Sequence, residues 1–217
     1  MLHASRIEKS NPSEVAMIVT AHAHEIEANA ALFDQMYQLR ARQFKDRRNW
    51  RVDVVNGQER DIFDQLNPLY VCVIDEDRRL LASLRLLPTT GSHMLSDVFP
   101  EVMGNIGIVR NPLVVESSRF CVDTSAVKNV GASGINDITR ELLWGLFHTA
   151  QTSGMTHVIS VYDVFMERIL RRSGCPFERL GPIVKYDGLK TVGGMCEASD
   201  DVLNALSPQK QKTVAAA

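Results

Sequence analysis

LYVCVIDEDRRLLASLRLLP, residues 69–88, sets the architecture of the chain. An apolar run over 69–74 meets Asp75-Glu76-Asp77, and a second run over 80–87 ends at Pro88, which reads as a β-hairpin. Val71, Val73, Leu81 and Leu84 make both strands apolar enough to be buried on one face or on both. Downstream, 113–122 and the β-branched-rich stretch 155–162 read as strands, with the last strands expected around 177–184 and 191–196. Between them Ser133 can cap a helix running to about Thr152, with Ile135, Ile138, Leu142, Leu146 and Ala150 at helical steps and Gly154 as its stop. A shorter helix over 163–172 is ended by Gly174 and Pro176. Upstream, Ile26, Ala30, Phe33, Met36 and Arg40 predict a helix over 21–44. Residues 1–18 leave an edge strand and a loose arm equally open. Helices alternating with strands, together with a hairpin, predict a three-layer α/β or α+β domain around one twisted sheet, a single domain over 1–206. The polar, then Ala-rich end, 207–217, reads as a frayed tail.

Composition narrows the function classes. The 217 residues are 45% hydrophobic and 23% charged, the make-up of an ordinary soluble globular chain. A net charge of -2 gives the whole molecule no pull toward nucleic acid or an anionic membrane, so any acidic partner must meet a local patch. The cysteines Cys72, Cys121, Cys175 and Cys196 form no CxxC pair, and Cys72 and Cys121 lie in apolar runs as small core residues. The six histidines include no HExxH, so no metal is expected. Residues 1–9 lack the apolar stretch of a signal peptide, and no run is long enough to span a bilayer; a cytoplasmic location is the expectation.

Four groups of residues could carry chemistry. Glu116-Ser117-Ser118-Arg119 places ionised groups inside a core strand, which is costly unless they are paired or functional. If that strand is regular, Glu116 and Ser118 share one face and Ser117 and Arg119 the other. The pair is either a buried ion pair or a polar cleft in which a carboxylate serves as base and a guanidinium grips an anion. Arg40 and Phe44 lie one helical turn apart, with Trp50 following the charged run 45–48. Two rings beside an arginine suit a flat or cationic ligand, and they equally suit a satellite core. Asp61 and Asp64 sit in a charge-dense connection, 45–68, that is long for a compact domain and could be a lid or binding loop. They could hold an ammonium group or orient arginines, although the loop context favours solvation. Arg85, within the hairpin, needs an acid partner. Last, 128–134 (KNVGASG) is a glycine-rich turn opening a helix, able to cradle a phosphate or to be a plain loop with a serine cap.

Taken in order, Arg40-x3-Phe44-x5-Trp50, Asp61-x2-Asp64, Arg85, Phe99 in Asp-Val-Phe-Pro, and Glu116-x2-Arg119 resemble the signature of the LuxI-type acyl-homoserine-lactone synthases. The segments 85–91 (RLLPTTG) and 116–120 (ESSRF) resemble it too, and the likeness spans about residues 34–175. The resemblance implies a GNAT-like sandwich with a mixed central sheet and a cleft between splayed strands. It implies transfer of an acyl group from a thioester to the amine of S-adenosylmethionine, then lactonisation with release of methylthioadenosine. S-adenosylmethionine is a substrate there, and no cofactor is implied. On that footing Glu116 is the first choice of base, with Arg119 and Asp64 beside it. Arg40, Phe44, Trp50, Asp61, Asp64 and Arg119 enclose S-adenosylmethionine, and Arg85, Phe99 and Ser118 frame the cleft. Acyl choice is expected from Ser160, Leu142, Leu146 and Met155. Arg168, Arg171 and Arg172 either dock an acidic acyl carrier protein or satisfy a helix dipole, which leaves acyl-CoA as the alternative donor. No nucleic acid or membrane partner is expected, and a monomer is the starting assumption. The rival readings are a GNAT-like N-acyltransferase for another amine, which would release no methylthioadenosine, and a non-catalytic sensor, which would need no base.

Overall fold

The computed structural model describes residues 16–47, 50–126 and 136–207. The predicted hairpin is present, with β4 (Leu69–Ile74) antiparallel to β5 (Leu80–Pro88). Before it come β1 (Met17–His22), α1 (Ala30–Ala41), which runs on as a π-helical turn over Arg42–Arg47, and a small hairpin of β2 (Val54–Val55) and β3 (Gln58–Glu59). After it come α2 (Met94–Asp97), β6 (Val114–Val122), α3 (Asp137–Thr152), β7 (His157–Asp163) and α4 (Val164–Arg172). The chain closes with β8 (Glu178–Arg179), β9 (Val184–Tyr186), β10 (Leu189–Glu197) and α5 (Asp200–Leu206).

The main sheet runs β1-β4-β5-β6-β7-β10-β8, with β9 against β10. Every pairing is antiparallel except β6 with β7. Strand alternation sends Val71, Val73, Ala82, Leu84 and Leu86 to one face, where α3 packs through Leu142, Leu143, Leu146 and Phe147. Tyr70, Cys72 and Ile74 point to the other face, under Leu32, Phe33, Met36 and Leu39 of α1. Both faces are therefore covered, which is why the hairpin reads as two nearly continuous apolar runs. All four cysteines are buried and free, which for Cys72 and Cys121 is what their apolar neighbours predict.

Four readings change. The strand expected around 177–184 splits into β8 and β9, each paired to a different stretch of β10. The helix expected over 21–44 starts only at Ala30, because 17–22 alternates as an edge strand paired to β4. The helix before Gly154 begins at Asp137, capped by the Asn136 side chain accepting from the Thr139 N–H at 2.7 Å. Ser133, the glycine-rich turn 128–134, and the ends 1–15 and 208–217 lie outside the described residues. Finally, the short helices α2 and α5 are additional to the sequence reading; at four and seven residues they are too short for a clear periodic signal.

Candidate active site

Strand β6 is the axis of the site. It pairs with β7 only from Val114–His157 to Ser117–Ser160, although both strands continue beyond that point. Past Ser117 the two strands part. At the parting the Ser160 hydroxyl donates to the Ser117 carbonyl at 2.8 Å.

On its other side β6 carries a bulge. Ser83 pairs with Cys121 but Arg85 with Ser118, so β6 holds one residue more than β5, and Arg119 takes a left-handed φ of 54°. A regular strand would send Arg119 to the α3 face, into aliphatic core. The bulge turns it instead to the α1 face, beside Ser118 and Arg85. The two-residue alternation expected for 116–119 therefore breaks at Arg119, and this break completes the site.

Three arginines and three acids interlock there. Arg40 donates through Nε to Glu59 at 2.5 Å and through both terminal nitrogens to Asp64 at 2.8 and 2.9 Å. Arg85 donates to Asp61 at 2.5 and 3.0 Å, to Asp64 at 2.8 Å and to the Ser118 hydroxyl at 3.2 Å. Arg119 bridges Glu59 at 3.0 Å and Asp61 at 2.7 Å. The Tyr70 hydroxyl adds a 2.6 Å bond to Asp64. Arg40 and Arg85 are at most 1% exposed, a burial that would be prohibitive for unpaired guanidinium groups. Burial alone would raise the Asp64 pKa. The hydrogen bonds and charge of Arg40, with Arg85 and Tyr70, outweigh it and hold the carboxyl well below the usual range. Asp64 and Glu59 in turn raise Arg40 against its own desolvation. With five donors converging on it, Asp64 is a fixed counter-ion with no lone pair to spare for a substrate proton.

Asp61 and Asp64 are thus drawn out of solvent, against the expectation of solvated loop charges. Asp61 caps a 3-10 turn over Ile62–Leu66, accepting from the Phe63 and Asp64 N–H groups. Glu59 is missing from the sequence reading. Its signal was Asn56-Gly57: both residues take positive φ, the mark of a tight two-residue hairpin, and that hairpin turns Glu59 inward on β3. Tyr70 is hidden for another reason, since an aromatic in a buried strand reads as core. A hollow of about 400 Å3 lined by Asp53, Val55, Asn56, Gln58 and Arg60 opens at the same hairpin; no residue of the ionic network lines it.

The aromatic pair stands at the edge of the network. Phe44 stacks on Trp50 with centroids 5.2 Å apart and planes within 10°, and the Arg119 guanidinium lies over the Phe44 ring at 5.2 Å. Arg119 Nη1 donates to the Met94 sulfur at 3.2 Å, and its buried Nε has no partner among the described residues. Arg119 therefore holds donor capacity that the described residues leave unused.

Glu116 stands apart from the salt bridges. Its two oxygens accept the N–H groups of Met94 (3.0 Å) and Leu95 (2.5 Å), at the start of α2, and it is 1% exposed. Burial pushes its pKa up; the Leu95 and Met94 amides and the charges of Arg85 and Arg119 resist, leaving it at about 7. A carboxyl poised there can take or give a proton near neutral pH.

The remaining candidates are more dispersed. Phe99 packs edge-on to Tyr186 at 4.9 Å, beyond α2. Leu142 and Leu146 are fully buried in the core on the α3 face, and Met155 packs against that core. Arg168, Arg171 and Arg172 are exposed on α4, with Arg171 3.6 Å from Glu167.

Comparison with known proteins gives a consistent result. The autoinducer synthase family model matches residues 23–206. An acyl-homoserine-lactone synthase of Agrobacterium fabrum is 37% identical over 76% of this chain and 78% of its own length. One from Aliivibrio fischeri is 37% identical over 66% and 73%. The crystal structure of the synthase LasI superposes with a TM-score of 0.78 at 27% identity, covering 89% of this chain and 95% of that one. The sandwich is GNAT-like.

Proposed function

The chain belongs to the autoinducer synthase family, and on that footing we propose that it is an acyl-homoserine-lactone synthase. It transfers an acyl group from a thioester to the amine of S-adenosylmethionine, then closes the homoserine lactone and releases methylthioadenosine. The observation that carries this reading is Glu116, a carboxyl buried in the strand that borders the parting, held by two backbone amides and outside the ionic network that fixes Arg119.

The α-ammonium of the substrate must lose a proton before its nitrogen can attack. Glu116, ionised at and above pH of about 7, accepts that proton directly or through one water. The oxyanion formed on the thioester carbonyl needs donors, and the parting of β6 from β7 leaves strand amides without a ladder partner to serve there. Lactonisation is intramolecular, so holding the methionyl carboxylate in line with its own γ-carbon supplies much of the acceleration. Arg119 suits that carboxylate, since its Nη1 has only a thioether to give up. Arg40, Arg85, Glu59, Asp61 and Asp64 keep Arg119 in place, and Phe44 with Trp50 forms the aromatic wall against the sulfonium side.

The acyl chain enters where the strands part, within reach of Ser160. Its hydroxyl can leave the Ser117 carbonyl for a 3-substituent, and Leu142, Leu146 and Met155 back the same face. The donor is acyl carrier protein or acyl-CoA. Exposed Arg168 and Arg172 support an acidic carrier.

The test is expression in a host that makes no lactones of its own, with mass spectrometry of the culture extract. An acyl-homoserine lactone is expected, and purified protein should release methylthioadenosine in step with thioester consumption. An acylated amine formed without methylthioadenosine would overturn the reading.

A further inference from the structure

The turn that grips Glu116 is itself held by a buried histidine. His93 precedes Met94 and Leu95, the two residues whose amides bind the carboxylate, and it is fully buried. Its Nδ1 lies 2.9 Å from the Gly91 carbonyl oxygen, which can only accept, so Nδ1 carries the proton and donates backward across the turn. Forward, the Ser96 hydroxyl has its one proton between the Asp97 carboxylate at 2.5 Å and the His93 carbonyl at 2.9 Å, and its oxygen sits 3.2 Å from Nδ1. Arg110 anchors the far side, donating to the Gly91 and Thr89 carbonyls, with Nη1 3.4 Å from Nδ1. Burial, with help from the Arg110 charge, lowers the His93 pKa, so the ring stays neutral and keeps this tautomer at neutral pH.

We propose that His93 is a positioning residue for Glu116: by tying Gly91 to the start of α2 it aims the Met94 and Leu95 amides at the carboxylate. This rests on the reading of Glu116 as the base. The two amide bonds favour ionised Glu116 and oppose the effect of burial. The charged groups facing the carboxylate are Arg85 from β5 and Arg119 from β6 itself; Asp97 and Arg110 flank the turn. Arg110 and Asp97 interact with His93 itself, but neither is among the charges acting on Glu116, which come from Arg85 and Arg119. Loosening the turn therefore acts on Glu116 through the two amide bonds, and Glu116 holds its proton to higher pH.

The experiment compares the native enzyme with His93→Leu, which removes the tie, and His93→Asn, whose side-chain amide can replace Nδ1–H. Two quantities are followed: the acid limb of kcat/KM, and direct titration of 13C-labelled Glu116 by NMR. In His93→Leu both should move upward together by about one pH unit, which is about a tenfold loss well below the limb and recovery above it. His93→Asn should restore both. Ser96→Ala, which cuts the forward tie, should shift them in the same direction and covers the case in which His93→Leu does not fold. A Glu116 titration that stays in place in His93→Leu and Ser96→Ala overturns the proposal, as does a loss of the same factor at every pH. A titration that moves while the activity limb stays put leaves His93 as the positioning group and removes Glu116 as the base.

Discussion

Glu116 and Asp64 are buried carboxyls on one face of one sheet, and their surroundings drive them apart. Asp64 receives two arginines and a tyrosine and stays ionised; Glu116 receives two neutral amides and rises to about 7. Opposed environments of this kind support the proposed roles, with Asp64 as anchor and Glu116 as proton acceptor. Glu116→Gln should cut turnover by about two to four orders of magnitude. Binding of S-adenosylmethionine, measured by calorimetry, should survive; undiminished methylthioadenosine release would exclude Glu116 as base. The pKa also predicts a stability slope. The folded carboxyl is raised above its unfolded value, so between pH of about 4.5 and 7 the native state binds more protons and stability falls as pH rises. Urea titrations across that window should show Glu116→Gln losing this part of the slope. At Arg85 the expectation is stability alone. Arg85→Met leaves Asp61 and Asp64 short of a buried partner and should cost about 3–5 kcal/mol by urea unfolding.

Among the elements, β6 does most to build the site, and it does so by being irregular. One extra residue opposite β5 swings Arg119 onto the face that already holds Arg85, and the early end of its pairing with β7 leaves the parting proposed above as the way in for the thioester. Neither feature could be read from 113–122, since a bulge is defined by its partner strand. The connection over 45–68 gives the opposite lesson. Its density of charge suggested solvent, yet Asn56-Gly57 and the Asp61 cap fold it into a hairpin and a 3-10 turn that bring Glu59, Asp61 and Asp64 under α1. Helix α3 obeys simpler rules. Asn136→Ala removes its side-chain cap and should lower stability by about 1 kcal/mol in chemical denaturation, leaving acyl transfer unchanged.

Over the whole molecule the sheet separates two jobs. The α3 face holds the larger apolar core, which borders the proposed acyl path, and the α1 face carries ions and the proposed proton transfer. Leu146, 2% exposed, belongs to the first; Leu146→Ala should cost about 2–5 kcal/mol, read as a lower midpoint in urea. A change in lactone chain length with no loss of stability would instead assign it to the acyl pocket.

The hairpin over 69–88, the strands around 113–122, 155–162 and 191–196, the two longer helices after the hairpin, the burial of Cys72 and Cys121 and most residue types of the network were legible along the chain, because periodicity and turn chemistry are local. Which acids meet which arginines was not. Glu59, 60 positions before Arg119, becomes its partner only when a tight hairpin and a strand bulge turn both inward. The same holds for the proton affinity of Glu116, which depends on burial and on two amides from a neighbouring turn. Sequence supplies the charges, but their pairing and desolvation are properties of three-dimensional distance.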